Sequence, residues 1–152
     1  MSLSYTANAR VSLEELKHFF LDKECQFEPS LVTLTDFDSY LEKLHKFASF
    51  YVCREQTGEL VALLAGYANN LETREAFLSA LMVRASYRGC GIAQHLLNEF
   101  IKDLQKKFFI TIRLSVLTTN SKALAFYKKN NFFTNCATKS GLMWFDLVKH
   151  LK

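Results

Sequence analysis

Proline occurs once and glycine five times in 152 residues. That scarcity excludes collagen-like or linker-like character. No Gly/Ser/Pro-rich stretch and no internal repeat divides the chain, so residues 1–152 read as one domain. No apolar run approaches the ~18 residues of a membrane span, and membrane insertion is not expected. Basic residues never form a run of about five or six, and a net charge of +4 is modest for a nucleic-acid binder. The densest basic clusters, Lys106-Lys107 and Lys128-Lys129, suit a small polyanion at least as well as DNA. Cys25, Cys53, Cys90 and Cys136 lie far apart, with no Cys-x-x-Cys pair and no histidine at zinc-ligand spacing, so no metal site is expected. With no signal peptide recognised, they read as reduced thiols of a cytoplasmic protein.

What is present is core material. Apolar residues make up 49% and charged residues 22%, with 14 phenylalanines. A domain of this size buries about two thirds of the surface that its unfolded chain exposes. Ser12-Leu13-Glu14-Glu15 has the form of a capping box, and Leu13, Leu16 and Phe20 follow at helical spacing, which predicts a helix to about Lys23. Thr35-Asp36-Phe37-Asp38 opens a second helix with Phe37, Tyr40, Leu41, Leu44 and Phe47 on one face. Residues 3–11 alternate poorly and give no first strand. Ser49–Arg54 and Leu60–Tyr67 read as a hairpin, turned at Gly58. Ala76–Val83 is almost wholly apolar and reads as a strand buried on both faces.

A polar turn, 84–91, then leads into an amphipathic helix expected to run from Ile92 to Phe108. Its stripe is Ile92, Leu96, Leu97, Phe100, Ile101 and Leu104. Phe109–Leu117 is a further strand. Strand, turn, helix and strand make a βαβ unit, so 76–83 and 109–117 should be parallel. Asn120-Ser121 opens a short helix to about Asn130. Phe132–Ala137 and Leu142–Leu147 close the chain as a hairpin around Ser140-Gly141. The fold class is α/β with a mixed sheet.

Chemistry concentrates in Arg88-Gly89-Cys90-Gly91-Ile92-Ala93. The segment sits between a strand and a helix N-terminus, where backbone N–H groups lack intrahelical partners and the helix dipole favours an anion. Two glycines let a ligand approach with no Cβ in the way. This is a phosphate cradle, and Arg84 and Arg88 read as added positive charge. A P-loop is excluded because no Lys-Ser or Lys-Thr follows, and a dinucleotide fingerprint fails at Gln94.

Arg88, Gly91 and Ala93 instead match Arg/Gln-x-x-Gly-x-Gly/Ala, the pyrophosphate loop of the GCN5-related N-acetyltransferases. The later segment Asn120-Ser121-Lys122-Ala123-Leu124-Ala125-Phe126-Tyr127-Lys128-Lys129-Asn130-Asn131-Phe132 resembles that family's Asn-x-x-Ala-x-x-Phe-Tyr-x-x-x-Gly-Phe block. The likeness covers about residues 49–147. It departs at Asn131, where the family has glycine; asparagine is the next-best residue for a left-handed helix end.

The resemblance implies a fold whose central parallel strands splay to hold acetyl-CoA. It places the amides of Arg88, Gly89, Cys90, Gly91, Ile92 and Ala93 on the pyrophosphate. The backbone of Leu81, Met82 and Val83 would lie along the pantetheine arm, with Asn120 and Phe126 also at the cofactor. Tyr127 would be the acid for the departing thiolate, and Glu75 the base, with an ordered water as its rival and Glu72 a weaker one. His18, His45, His95 and His150 are isolated and read as surface or packing residues. Cys90, at a helix N-terminus, could accept an acyl group, but it reads as a variable loop position. The implied activity is acetyl transfer from acetyl-CoA to a primary amine of a small molecule. The acidic residues Glu24, Glu28, Asp36, Glu72 and Glu75 favour a cationic one. Rival readings are a protein or peptide N-acetyltransferase, O-acetylation of a sugar, a catalytically silent CoA sensor and a nucleic-acid-binding domain. A homodimer is a further expectation, through strands of the final hairpin.

Overall fold

A computed structural model describes residues 2–25, 36–135 and 144–151. In chain order the elements are β1 (Leu3–Thr6), α1 (Leu13–Leu21), a 3-10 turn (Lys23–Cys25), α2 (Phe37–Phe47), β2 (Ser49–Glu55), β3 (Leu60–Tyr67) and β4 (Glu75–Val83). A second 3-10 turn (Ala85–Tyr87) precedes α3 (Ile92–Lys106), β5 (Thr111–Leu117), α4 (Ser121–Lys129), β6 (Phe133–Thr134) and β7 (Trp144–His150). The strands form one sheet in the order β1-β2-β3-β4-β5-β7-β6. Among the described residues only β4 and β5 pair in parallel; the other ladders are antiparallel. Among the described residues no helix is long and apolar enough to cross a membrane.

The capping signals act as written. Ser12 Oγ accepts from Glu15 N–H at 3.1 Å, and Asp36 Oδ1 accepts from Ser39 N–H at 3.3 Å. Each satisfies an orphan donor of a first helical turn. Asn131 takes φ +68° just past α4. Phe132 N–H reaches Tyr127 O and Asn131 N–H reaches Lys128 O, both at 3.0 Å, so asparagine closes the helix as glycine would.

Two apolar layers flank the sheet. One joins Ile92, Leu96, Leu97, Phe100 and Leu104 of α3 and Tyr127 of α4 to Leu64, Leu78, Ile112, Leu114, Val116 and Leu147. The other joins Leu16, Phe19 and Phe20 of α1 and Leu41 and Leu44 of α2 to Val52, Leu63, Ala65, Ala80 and Met82. Gly66 lets α3 approach: a Cβ there would collide with the ring of Phe100.

Several expectations are corrected. β1 exists. It is an edge strand, mostly exposed, that pairs with β2 from Leu3↔Glu55 to Thr6↔Val52, so no buried face imposes an alternation. α1 ends at Leu21, with Asp22 extended at its C-cap. α3 ends at Lys106 because Phe108 turns left-handed, and β5 starts only at Thr111. β7 continues to His150, and β6 is described only over Phe133–Thr134; the turn at Ser140-Gly141 lies outside the described residues.

β4 is not buried on both faces. Ala76, Leu78, Ala80 and Met82 are buried, whereas Phe77 is exposed and Ser79, Leu81 and Val83 are half-buried. Pairing with β3 slips between Gly66↔Leu78 and Ala65↔Ala80, which leaves Ser79 as a bulge. The bulge hands Leu78 to the α3 layer and Ala80 and Met82 to the opposite layer.

Candidate active site

The β4–β5 ladder is short. It holds Glu75↔Thr111, Ala76↔Ile112 and Phe77↔Arg113, then stops. β4 continues along β3 to Val83, and β5 continues along β7 to Leu117. Beyond Phe77 and Arg113 the two strands therefore diverge, and a fork opens in the middle of the sheet toward their C-terminal ends.

The 88–93 turn stands where β4 leaves the fork. Gly89 and Gly91 have φ of +81° and +79°, and nothing lies within 4 Å of where their Cβ atoms would be. Among the described residues the backbone N–H groups of Gly89, Cys90, Gly91, Ile92 and Ala93 have no hydrogen-bond acceptor. Five donors at a positive helix end, beside two glycines with open space where their Cβ atoms would be, could hold an anion. Arg88 behaves otherwise. Its N–H bonds Ala85 O at 3.2 Å, and its guanidinium folds back to Val83 O and Glu24 O, both at 3.0 Å. It staples the loop to the 3-10 turn after α1.

The expected charge of Arg84 is also spent elsewhere. This arginine is buried, with its guanidinium on Leu60 O at 2.9 Å, Asp22 at 2.8 Å and Glu59 at 3.0 Å, and its Cζ lies 5.9 Å from the Phe19 ring centre. Burial disfavours its charge, but the neighbouring carboxylates more than restore it, and its pKa rises. Carboxylates that close cancel its field at the cradle. The acidic residues expected to attract a cation are likewise engaged. Glu24 accepts from Ser86 N–H at 2.9 Å, Asp36 caps α2 and Glu75 pairs with Arg113 at 2.7 Å. Glu72 is exposed, and Glu28 lies outside the described residues.

α4 packs on the α3 side of the fork. Asn120 is its N-cap, its side-chain oxygen accepting from Ala123 N–H at 3.1 Å. Tyr127 lies edge-on between Phe126 and Phe132, with ring centres 5.2 and 5.3 Å away. It is 7% exposed, and burial pushes its phenol pKa well up. Leu81, Val83 and Phe126, all half-buried, pack against the cluster that holds Tyr127 and Ile92. The side chain of Met82 joins the opposite layer. The fold thus gathers Leu81, Val83, Ile92, Phe126 and Tyr127 on one side. Glu75 sits apart at the closed end of the fork, and Cys90 is exposed.

Two features of the site escaped the sequence reading. Tyr40 of α2 meets the bulge, its hydroxyl 2.9 Å from Ser79 Oγ and donating to Ser79 O at 3.3 Å. Its pKa is pushed up to about 12 by burial. Gln94 and Asn130 form a reciprocal amide pair at 2.7 and 3.0 Å that ties the first turn of α3 to the end of α4. Neither contact is visible in the sequence, because Tyr40 and Ser79, and likewise Gln94 and Asn130, are far apart along the chain.

The model of the acetyltransferase (GNAT) family matches residues 13–132. The chain belongs to this family. It is 30% identical over 132 residues to a Methanocaldococcus jannaschii protein described as an uncharacterized N-acetyltransferase. That alignment takes in 76% of this chain and 57% of the relative, so the chain spans little more than half of the relative's length. Solved structures share the GNAT fold. PH1933 from Pyrococcus horikoshii superposes with a TM-score of 0.80 at 20% identity, over 99% of both chains. The PaiA N-acetyltransferase of Thermoplasma acidophilum, solved with coenzyme A, gives 0.73 at 20% identity, also over 99% of both.

Proposed function

We propose that this chain is one acetyltransferase domain that moves the acetyl group of acetyl-CoA to a primary amine of a small molecule. The observation that carries this reading is the fork with five unpartnered amides at its mouth. A pyrophosphate on Gly89–Ala93 gives those amides acceptors. An extended pantetheine arm beside β4 gives the diverging strand a replacement for the β5 ladder that ends at Phe77. The thioester then lies within the fork, flanked on the α3 side by α4.

Transfer needs a neutral amine, a stabilised oxyanion and a protonated leaving thiolate. β4 N–H groups freed by the fork supply hydrogen bonds to the carbonyl oxygen as its charge develops. Tyr127 is the acid: its hydroxyl is protonated at neutral pH, and no described residue accepts its hydrogen bond. Asn120 contributes from the N-cap of the same helix: Ala123 N–H holds its side-chain oxygen, and its amide nitrogen would donate to the arm. Glu75 accepts from Arg113 at 2.7 Å. In this reading it holds the closed end of the fork together, and the amine gives its proton to water.

Differential scanning fluorimetry tests the cofactor step. Acetyl-CoA at 100-fold over its dissociation constant should stabilise the fold by ~2.7 kcal/mol, and free acetate should not. A thiol-release assay over amines, amino sugars, amino acids and peptides then tests the acceptor. The absence of any shift with acetyl-CoA or CoA would refute the reading.

A further inference from the structure

We propose that Asp146 binds a second positive charge on the acceptor, so that the preferred substrate is a diamine-like cation rather than a monoamine. This rests on the acetyltransferase reading above and names the substrate class of that site.

Asp146 of β7 stands opposite Ser115 of β5 in the antiparallel ladder, so the two side chains share a face. Ser115 Oγ donates to Asp146 Oδ1 at 3.1 Å. The other oxygen, Oδ2, is buried and has no hydrogen-bond partner. Its situation is unlike that of the other carboxylates at the sheet. Glu75 has Arg113, Glu15 has Arg54, Asp22 and Glu59 have Arg84, and Asp103 accepts from Tyr51 at 2.7 Å. A buried carboxylate oxygen left without a donor is costly, and a native site that retains one calls for a reason. A cationic ligand group supplies the missing donor.

The position fits. Ile112, Leu114, Val116 and Leu147 belong to the α3 layer, which puts Arg113, Ser115, Asp146 and Val148 on the opposite face. There the buried side chains of α1 and α2 cluster with β2, β3 and β4, and none from β5, β6 or β7 joins them. Among the described residues, then, no helix lies between this face and an acceptor that approaches the fork from it. Ser115 is two residues beyond the last β4–β5 pair, and β7 is one strand over. Strand geometry puts Asp146 about 8 Å from the closed end of the fork. An extended pentane chain bridges that gap, with one amine at the thioester and the other at Oδ2. Arg113, two residues before Ser115 on the same face, is already committed to Glu75.

The test compares cadaverine with pentylamine, which match in chain length and differ in the second ammonium. Wild-type protein should favour cadaverine in kcat/KM by at least ~10-fold, because a site built around a charged group discriminates against the analogue that lacks it. Asp146→Asn keeps the shape and the Ser115 bond. It should collapse that ratio toward one through the KM of cadaverine while the thermal shift with acetyl-CoA persists. Without amine it should also melt no lower than wild type, since asparagine keeps the Ser115 bond and no cation among the described residues pairs with the carboxylate. An equal ratio in both proteins, no wild-type preference, or a lower melting point for Asp146→Asn would overturn the proposal. Failure of the parent reading looks different: neither protein would shift with acetyl-CoA.

Discussion

Tyr127 combines two demands that pull apart. It is packed between two phenylalanine rings, and it must present a hydroxyl to a leaving sulfur under the proposed function. Tyr127→Phe separates them. The ring and its edge contacts stay, so stability and acetyl-CoA affinity should hold. kcat should fall ~10²-fold with the amine KM nearly unchanged, because the lost interaction develops only as the C–S bond breaks. Single-turnover kinetics with a good acceptor checks this, and an unchanged rate removes Tyr127 from the chemistry. Gly91 carries the matching test of binding. Its φ of +79° is strained for any side chain and worse for a β-branched one. Open space surrounds the missing Cβ, so Gly91→Val disturbs the backbone and the ligand's path rather than the core. The protein should fold and lose its thermal shift with acetyl-CoA. Gly66 is the opposite case, because its missing Cβ is where Phe100 sits. Gly66→Ala should cost ~1–3 kcal/mol by overpacking, and Phe100→Leu in the same chain should recover part of it in urea denaturation.

Helix ends decide how well the elements could be read. Asn131 stands where a left-handed residue was required, and the Tyr127–Phe132 closure follows from it. The end of α3 has the same geometry with an unlikely residue: Phe108 has φ +62°, with Phe109 N–H on Leu104 O at 2.9 Å. Nothing in a phenylalanine announces a left-handed turn, so the helix was extended two residues too far and the next strand begun two too soon. Phe108 is 78% exposed and contributes little packing to offset the strain. Phe108→Gly should therefore raise stability by ~1 kcal/mol, read as a higher urea midpoint at constant slope. The β4 bulge was hidden for a related reason. Eight nearly apolar residues look buried on both faces, and only the slip against β3 shows that the strand changes faces at Ser79. The βαβ unit and the cradle were legible because glycines, caps and periodicity are local. The partners of Arg84, Arg88 and Glu75 were not, because Asp22, Glu24 and Arg113 come from other parts of the chain.

Across the whole molecule, ionisable groups that folding keeps neutral set an alkaline limit. Burial pushes the Cys25 thiol up to about 11 and the Tyr40 phenol up to about 12. It raises Tyr51 and Tyr127 further, with Asp103 adding to the effect on Tyr51. These are groups whose folded pKa lies above the unfolded value. The stability they lend is present in full below the unfolded pKa and is lost as pH rises toward the folded one. Stability should thus hold to about pH 8, decline as unfolded cysteine ionises at pH ~8.5, and fall steeply above pH ~10 as unfolded tyrosine follows. With its phenol pushed up to about 12 by burial, Tyr40 alone accounts for ~2–3 kcal/mol of that fall once pH passes both the unfolded and the folded value. Tyr40→Phe removes one titrating group and keeps the ring against Phe20. At neutral pH the variant should be less stable, having lost the bond to Ser79. Its deficit should shrink as pH climbs from 9 to 12, because wild type is then losing a contribution that the variant never had. Urea midpoints taken across that range for both proteins decide it: a deficit that stays constant would mean that folding does not hold the Tyr40 proton.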